Sequence, residues 1–458
     1  MSARQDWEEV YKLFDPEQPA YDSRIRVDRT DGPVMQIVKA LGRTFGTPRV
    51  LFTGTTGTGK TTELLRLAEQ RRGIELVVFL DLERHFSEVV QDPNALQKVS
   101  PWEVCFLAGL HLIAEFRRQC GMELPEALVR DFAEAWSRAA RRTETPRAAE
   151  VDVGVLTKAL LTVASGGVAM ATGAPAAAVP VMGKLVAEAF GALKLSLPVG
   201  RSARELPDQD PDMQTLLGCV NNLVTEARRK SRPVLFVIDG LDRIRDIERA
   251  KALFVDSQII SKLECPSIVC GPFALRHHPS TAAVRGWSAV CVLVNEPVLL
   301  QADPRKPGPG VEFFCKLFDR RVEHIQQRNK QRLIPDDLLQ RLAYRSGGRA
   351  RDFIRFVQAV AEQAWDAEEP VASEKTVKGV LDTMRRQREM GLHMGHIHML
   401  EQVAADPEHR LPEHPLAQEL LTYGTLLPYP NESEWFYPHP LLTMHLVKEP
   451  GSTPSSAS

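Results

Sequence analysis

Val50-Leu-Phe-Thr-Gly54-Thr-Thr-Gly57-Thr-Gly59-Lys60-Thr61-Thr62 runs from a short apolar strand through a full G-x-x-x-x-G-K-T loop into a helix carrying Leu64, Leu65, Leu67 and Ala68. Strand, glycine-rich loop and helix in that order is the context that gives the pattern physical meaning. Glycines at 54, 57 and 59 let the backbone turn without Cβ clashes. Successive N–H groups can then converge on a phosphate at a helix N-terminus, where the dipole also favours negative charge. The loop of Gly54, Thr55, Thr56, Gly57, Thr58 and Gly59, with Lys60, Thr61 and Thr62, therefore reads as a nucleotide cradle. In it Lys60 reaches the β- and γ-phosphates and the Thr61 hydroxyl ligates Mg²⁺.

A phosphate loop leaves Mg²⁺ half-coordinated, so a second acid is expected at the end of another strand. Pro233-Val-Leu-Phe-Val-Ile-Asp239-Gly-Leu-Asp242-Arg243 supplies it. Five apolar residues without alternation fit a strand buried on both faces of a parallel sheet, and Asp239 falls at its carboxyl end, where such sheets bind ligands. Asp239 would hold Mg²⁺ through water. Further strands are predicted at Leu76 to Asp81, Ser267 to Cys270 and Val290 to Val294, with helices between them such as Trp102 to Arg118 and Met213 to Lys230. This alternation predicts a three-layer α/β sheet with right-handed crossovers.

Nearly 180 residues separate the loop from Asp239, which is long for a bare core and implies an insertion at about 141–204. Within it, Ala159 to Gly183 contains no charged residue. The length suits a membrane helix, but Ser165-Gly-Gly, Gly173, Pro175 and Pro180 interrupt it, and Ala and Gly supply little transfer energy. A small-residue hairpin on the core is the simpler reading, and membrane insertion the less favoured one. The net charge of −2 gives no global field for nucleic acid, and Arg117-Arg118, Arg141-Arg142 and Arg228-Arg229-Lys230 read as solvated helix faces. Seven cysteines without C-x-x-C spacing and no signal sequence point to a reducing, cytoplasmic setting.

The segment 1–45 reads as an N-terminal linker and 46–302 as the core. Asp303-Pro-Arg-Lys-Pro-Gly-Pro-Gly310 reads as a hinge opening a helical lid at 303–387. The lid has a helix at Val311 to Asn329 and another from Ile334-Pro to Leu342, closed by Ser346-Gly-Gly348. A third helix, Arg349-Ala-Arg351-Asp-Phe-Ile-Arg355, begins with arginines where the dipole disfavours them, which suggests an anionic partner. Residues 388–448 contain two helices and two aromatic strands around Pro430 to Glu434, a helix-then-hairpin pattern resembling a winged helix. Its acids, among them Glu401, Asp406 and Glu413, favour a protein partner over DNA phosphates. The tail 449–458 is expected to be disordered. His393, His396 and His398 lack the companions a tetrahedral metal site needs.

These motifs together resemble AAA+ ATPases, with features similar to STAND and KAP-type NTPases. The resemblance covers roughly residues 25 to 385. It implies an α/β P-loop NTPase core with a parallel sheet, an α-helical lid, and a small α+β winged-helix-like C-terminal domain. By the Ser-Gly-Gly-x-x-Arg match, Arg351 is the sensor-2 residue contacting the γ-phosphate. Arg26-Val27-Asp28-Arg29 resembles the box that frames adenine, which makes Arg29 a nucleotide-contact candidate. Most active members carry Glu after the Mg²⁺ acid where this chain has Gly240, so Asp242 is the nearest residue to orient water and turnover is expected to be slow. Cys270 stands where a polar sensor-1 residue is usual. Arg285, or alternatively Arg276, would serve as the arginine finger for a neighbouring subunit.

The resemblance implies ATP and Mg²⁺ as ligands and an ATPase that couples nucleotide state to homo-oligomerisation and recruitment of a protein effector. Bacterial signalling or anti-phage defence is the setting it suggests. A nucleic-acid-dependent loader and a membrane-associated KAP-like NTPase are the alternatives.

Overall fold

The computed structural model describes residues 3–20, 22–29, 32–43, 46–141, 208–278, 286–430 and 434–448. The Ala/Gly-rich insertion, Arg285 and the tail from 449 lie outside the described residues. The chain forms two compact units. One comprises Asp31–Thr53 and Glu63–Val292, the other Met1–Thr30, Gly54–Thr62 and Leu293–Ser458. The longer helices ahead of the insertion are α1 (Ala3–Leu13), α2 (Pro33–Leu41), α3 (Lys60–Arg71), α4 (Pro101–Cys120) and α5 (Glu126–Arg141). Beyond it come α6 (Pro211–Lys230), α7 (Gly310–Asn329), α8 (Asp336–Arg345), α9 (Ala350–Asp366), α10 (Glu374–Glu389), α11 (Met394–Ala405) and α12 (Pro415–Thr422).

The first unit is organised by β1 (Arg49–Gly54), β2 (Leu76–Asp81), β3 (Val234–Asp239), β4 (Ser267–Gly271) and β5 (Ala289–Leu293), in the spatial order β2-β3-β4-β1-β5. β2 with β3, β3 with β4, and β4 with β1 pair in parallel, placing Asp81 opposite Asp239 and Thr53 opposite Gly271. All of β3 is buried, as a strand without polar alternation must be. Edge strand β5 is only partly buried. Because these strands are parallel, Thr53, Asp81, Asp239 and Gly271 finish on one edge of the sheet, the edge that binds ligands in open α/β folds.

Helix α4 is apolar over most of its length and is almost wholly buried. Its start is fixed by Glu103, whose carboxylate accepts from the Ser100 N–H and hydroxyl, each at 2.7 Å. Phe106 of α4 stacks on Phe132 and Trp136 of α5 with ring centroids 5.4 and 4.9 Å apart. These contacts extend the apolar core beyond the sheet.

In the second unit α1 packs on α9. The Trp7 indole donates to the Glu369 carbonyl at 2.6 Å, and Arg328 donates to Asp6 at 2.6 Å. The segment read as a linker is thus partly structural, because the amphipathic spacing of Trp7 and Val10 gives α1 a face to bury. The expected hinge differs as well. Asp303–Pro307 forms β7, antiparallel to β6 (Leu299–Leu300), and the Gly308 N–H donates to Val298 at 2.8 Å. Pro304 and Pro307 have the φ an extended strand uses, and their missing N–H groups are tolerated at an edge. After α11 and α12, β8 (Leu426–Tyr429) pairs antiparallel with β9 (Trp435–Pro438), and Tyr429 stacks on Trp435 at 4.7 Å. An α/β sheet unit, a helical region and a small C-terminal region ending in a hairpin are therefore the architecture, as expected.

Candidate nucleotide-binding site

The loop leaves β1 at Gly54 and enters α3 at Lys60. Gly57 and Gly59 have φ of +91° and +100°, values L side chains rarely adopt, and a Cβ at Gly57 would sit 3.1 Å from Cβ of Arg351. Lys60 is buried, and its Nζ donates to the carbonyls of Gly54 at 2.8 Å and Thr55 at 2.9 Å. The Thr58 hydroxyl also donates to Thr55, at 2.9 Å. Arg349 donates to the Thr56 carbonyl, the Arg351 N–H to Gly57 at 3.0 Å, and Arg29 to Thr58 at 2.8 Å.

Every carbonyl from Gly54 to Thr58 therefore accepts a hydrogen bond. In a planar trans peptide the N–H points opposite its carbonyl, so the N–H groups of residues 55–59 are each turned away from those donors. The α3 N-terminus adds its dipole at the end of this loop, and buried Lys60 adds a cation. The donor set fits a polyphosphate. The Thr61 hydroxyl and the Asp239 carboxylate are hard oxygen ligands of the kind Mg²⁺ takes.

Arg29 is thus on the loop's backbone, and its Nε donates to Glu296 while its guanidinium lies over Phe313 at 5.0 Å. Arg351 meets the loop through its own N–H. Thr62 accepts from the Ala20 N–H at 3.4 Å.

Two residues that sequence reasoning missed stand against this loop. Arg349, the N-cap of α9, is buried and places Nε 3.0 Å and Nη2 2.6 Å from the Thr56 carbonyl. Burial pushes its guanidinium down to about 10. The Arg349 signal was present in the paired arginines of the helix start, of which the resemblance to AAA+ ATPases gave a role to Arg351 alone. Asn295, also buried, accepts from the Thr55 hydroxyl at 3.0 Å and donates to the Pro428 carbonyl at 2.9 Å. Nothing in the sequence around Asn295 marks it.

Asp239, in the sheet unit, is buried and accepts from the Gly240 N–H at 2.9 Å. Its neighbour Asp81 caps a helical turn by accepting from the Arg84 N–H at 3.0 Å. Burial, reinforced by the Asp239 charge, raises the Asp81 carboxyl to about 7. Asp242 lies in the one-turn helix Leu241–Arg243, and Arg243 pairs with Glu83 at 2.7 Å. Gly240 has φ +94°, and a Cβ there would fall 2.6 Å from the Glu83 nitrogen. That close approach explains physically why no acid follows Asp239. Cys270 is buried within β4 and Arg276 ends the short helix Phe273–Arg276. The first-choice finger, Arg285, lies outside the described residues.

His393 caps α11 by accepting from the Gly395 N–H at 3.2 Å and stacks on His396 at 3.8 Å. Among the described residues no cluster of His, Cys, Asp or Glu could hold a metal, and no helix is long and apolar enough to cross a membrane.

No protein-family model matches the sequence, and no curated protein matches it. Among solved structures, the chain is similar to the Orc1 protein of Aeropyrum pernix, solved in complex with DNA. Identity is 11%, coverage is 95% of this chain and 96% of that one, and the TM-score is 0.39.

Proposed function

We propose that this chain binds ATP with Mg²⁺ on residues 54–62 and acts as a slowly hydrolysing AAA+-type switch that changes its assembly state and recruits a partner protein. The observation that carries this reading is the run of five engaged carbonyls, Gly54 to Thr58, within a G-x-x-x-x-G-K-T strand-loop-helix. Lys60 holds the β- and γ-phosphates, Thr61 and Asp239 hold the metal, and the metal when bound neutralises charge on the transferred phosphoryl group. Arg351 follows the γ-phosphate, and Asp242 orients water in place of the acid that Gly240 precludes. Slow turnover follows from that absence. An arginine from a second copy, Arg285 or Arg276, completes the site.

The test is light scattering of the purified chain without nucleotide, with ADP and with ATP·Mg²⁺, alongside phosphate release with and without DNA. Assembly in ATP alone, with turnover indifferent to DNA, supports the switch. Turnover accelerated by DNA in a chain that stays monomeric replaces it with a nucleic-acid loader.

A further inference from the structure

Two routes join the phosphate loop to the C-terminal hairpin region. In the first, Arg349 grips the Thr56 carbonyl and also donates from Nη1 to Oδ2 of Asp352 at 3.0 Å. The same oxygen accepts from Arg388 at 2.7 Å and meets Nε2 of His439 at 3.2 Å. Arg388 in turn donates to the Gly424 carbonyl at 3.0 Å, just ahead of β8. In the second route Asn295 bridges the Thr55 hydroxyl to the Pro428 carbonyl within β8.

His439 is fully buried just beyond β9. Its Nδ1 accepts from the Leu441 N–H at 3.2 Å, so the neutral ring carries its proton on Nε2 and donates it to Asp352. Burial, with Arg388 nearby, lowers this imidazole to about 3 and keeps it neutral. Burial alone would raise the Asp352 carboxyl. Arg349 and Arg388 outweigh it and hold the group well below its ordinary value. One carboxylate between two guanidiniums leaves these four groups with a net positive charge beside the loop.

We propose that Arg349 and Asn295 are positioning residues of the phosphate loop, and that through them the seating of the C-terminal hairpin and the binding of nucleoside triphosphate favour one another. A peptide whose carbonyl is bonded to a guanidinium is polarised, so its N–H becomes a better donor. Arg349 acts in this way on the Thr56–Gly57 peptide, whose N–H points away from the guanidinium. Asp352 fixes the rotamer that makes the bond, and His439 fixes Asp352. A phosphate that draws on the Gly57 N–H tightens the chain in return, since coupling between two binding equilibria is reciprocal. Such coupling rests on nucleotide binding at residues 54–62, and its failure can be told apart from the failure of that reading.

The experiment measures ATP·Mg²⁺ affinity by calorimetry in the full chain, in Lys60→Ala, in His439→Ala and in His439→Gln, with amide hydrogen exchange across β8 and β9. His439 is remote from the ligand, and Gln retains a donor toward Asp352. The expected result is ATP affinity weakened about fivefold or more in His439→Ala and restored to within about twofold in His439→Gln. Hairpin amides in the unaltered chain gain protection when ATP·Mg²⁺ is added. Should His439→Ala fail to fold, the exchange measurement on the unaltered chain decides. Hairpin protection indifferent to ATP, or His439→Ala binding as tightly as the unaltered chain, overturns the coupling while Lys60-dependent binding stands. An unaltered chain that binds no ATP overturns both.

Discussion

Arg349 donates twice to the carbonyl of Thr56, from Nε at 3.0 Å and from Nη2 at 2.6 Å, and so fixes the middle of the Gly54–Thr62 loop from the start of another helix. Arg349→Ala removes that clamp and leaves Asp352 buried with one fewer cation. Breaking a buried pair costs about 3–5 kcal/mol in stability, and a loop that is no longer held at Thr56 binds its ligand more weakly. The expected outcome is a lower urea midpoint together with a raised ATP Kd. Arg349→Lys, which keeps the charge but not the fork, should fall between the two.

Gly240 bears on turnover. Gly240→Glu would install the acid that most active AAA+ enzymes carry after the Mg²⁺ aspartate. The +94° φ and the Glu83 nitrogen 2.6 Å from the new Cβ oppose it. We expect a loss of about 1–3 kcal/mol in stability and no gain in phosphate release. Faster turnover at unchanged melting temperature would show that the turn is free to rearrange.

Asp81 and Asp239 face each other across the ends of β2 and β3, and the Asp81 carboxyl is raised to about 7. A carboxyl raised in the folded chain contributes stability that is present below its ordinary pKa of 3.8 and is lost as pH rises through about 7. In EDTA, Asp81→Asn should therefore stabilise the protein by about 1–3 kcal/mol at pH 8 and by little at pH 4. Urea denaturation at the two pH values reads this directly.

His111 is buried, and among the described residues neither ring nitrogen has a hydrogen-bond partner. Burial lowers it to about 4 from 6.5. The neutral ring is the folded form, so its contribution is complete above pH 6.5 and is lost as pH falls toward 4. His111→Leu should flatten that loss and raise stability at neutral pH, because it buries a carbon chain where two polar atoms now go unpaired. An equally steep acid transition in the variant would place the effect elsewhere, His85 being the nearest alternative with a pKa lowered to about 3.

How legible these features were depends on whether the physics that set them is local. The five sheet strands, the C-terminal hairpin and helices such as α4, α6 and α7 came from periodicity and apolar runs, with bounds shifted by only a few residues, whereas α1, α5 and α10 were not anticipated. The strand, glycine-rich turn and helix at 49–71 were legible because their signals lie in consecutive residues. The strand at Asp303–Pro307 was not legible, since prolines signal a break by composition alone while an edge strand tolerates them. Arg388 and His439 join Arg349 on one oxygen of Asp352 from stretches far along the chain, and Asn295 bridges two more. Only the tertiary fold brings such groups together, and no spacing in the sequence encodes it.

The most direct test of nucleotide binding is calorimetric titration of ATP·Mg²⁺ into the unaltered chain and into Lys60→Ala. The account predicts saturable binding that weakens tenfold or more in the variant, since a charge-assisted contact of about 1.5–3 kcal/mol is lost. Equal affinity in the two proteins, or no binding to either, would contradict it.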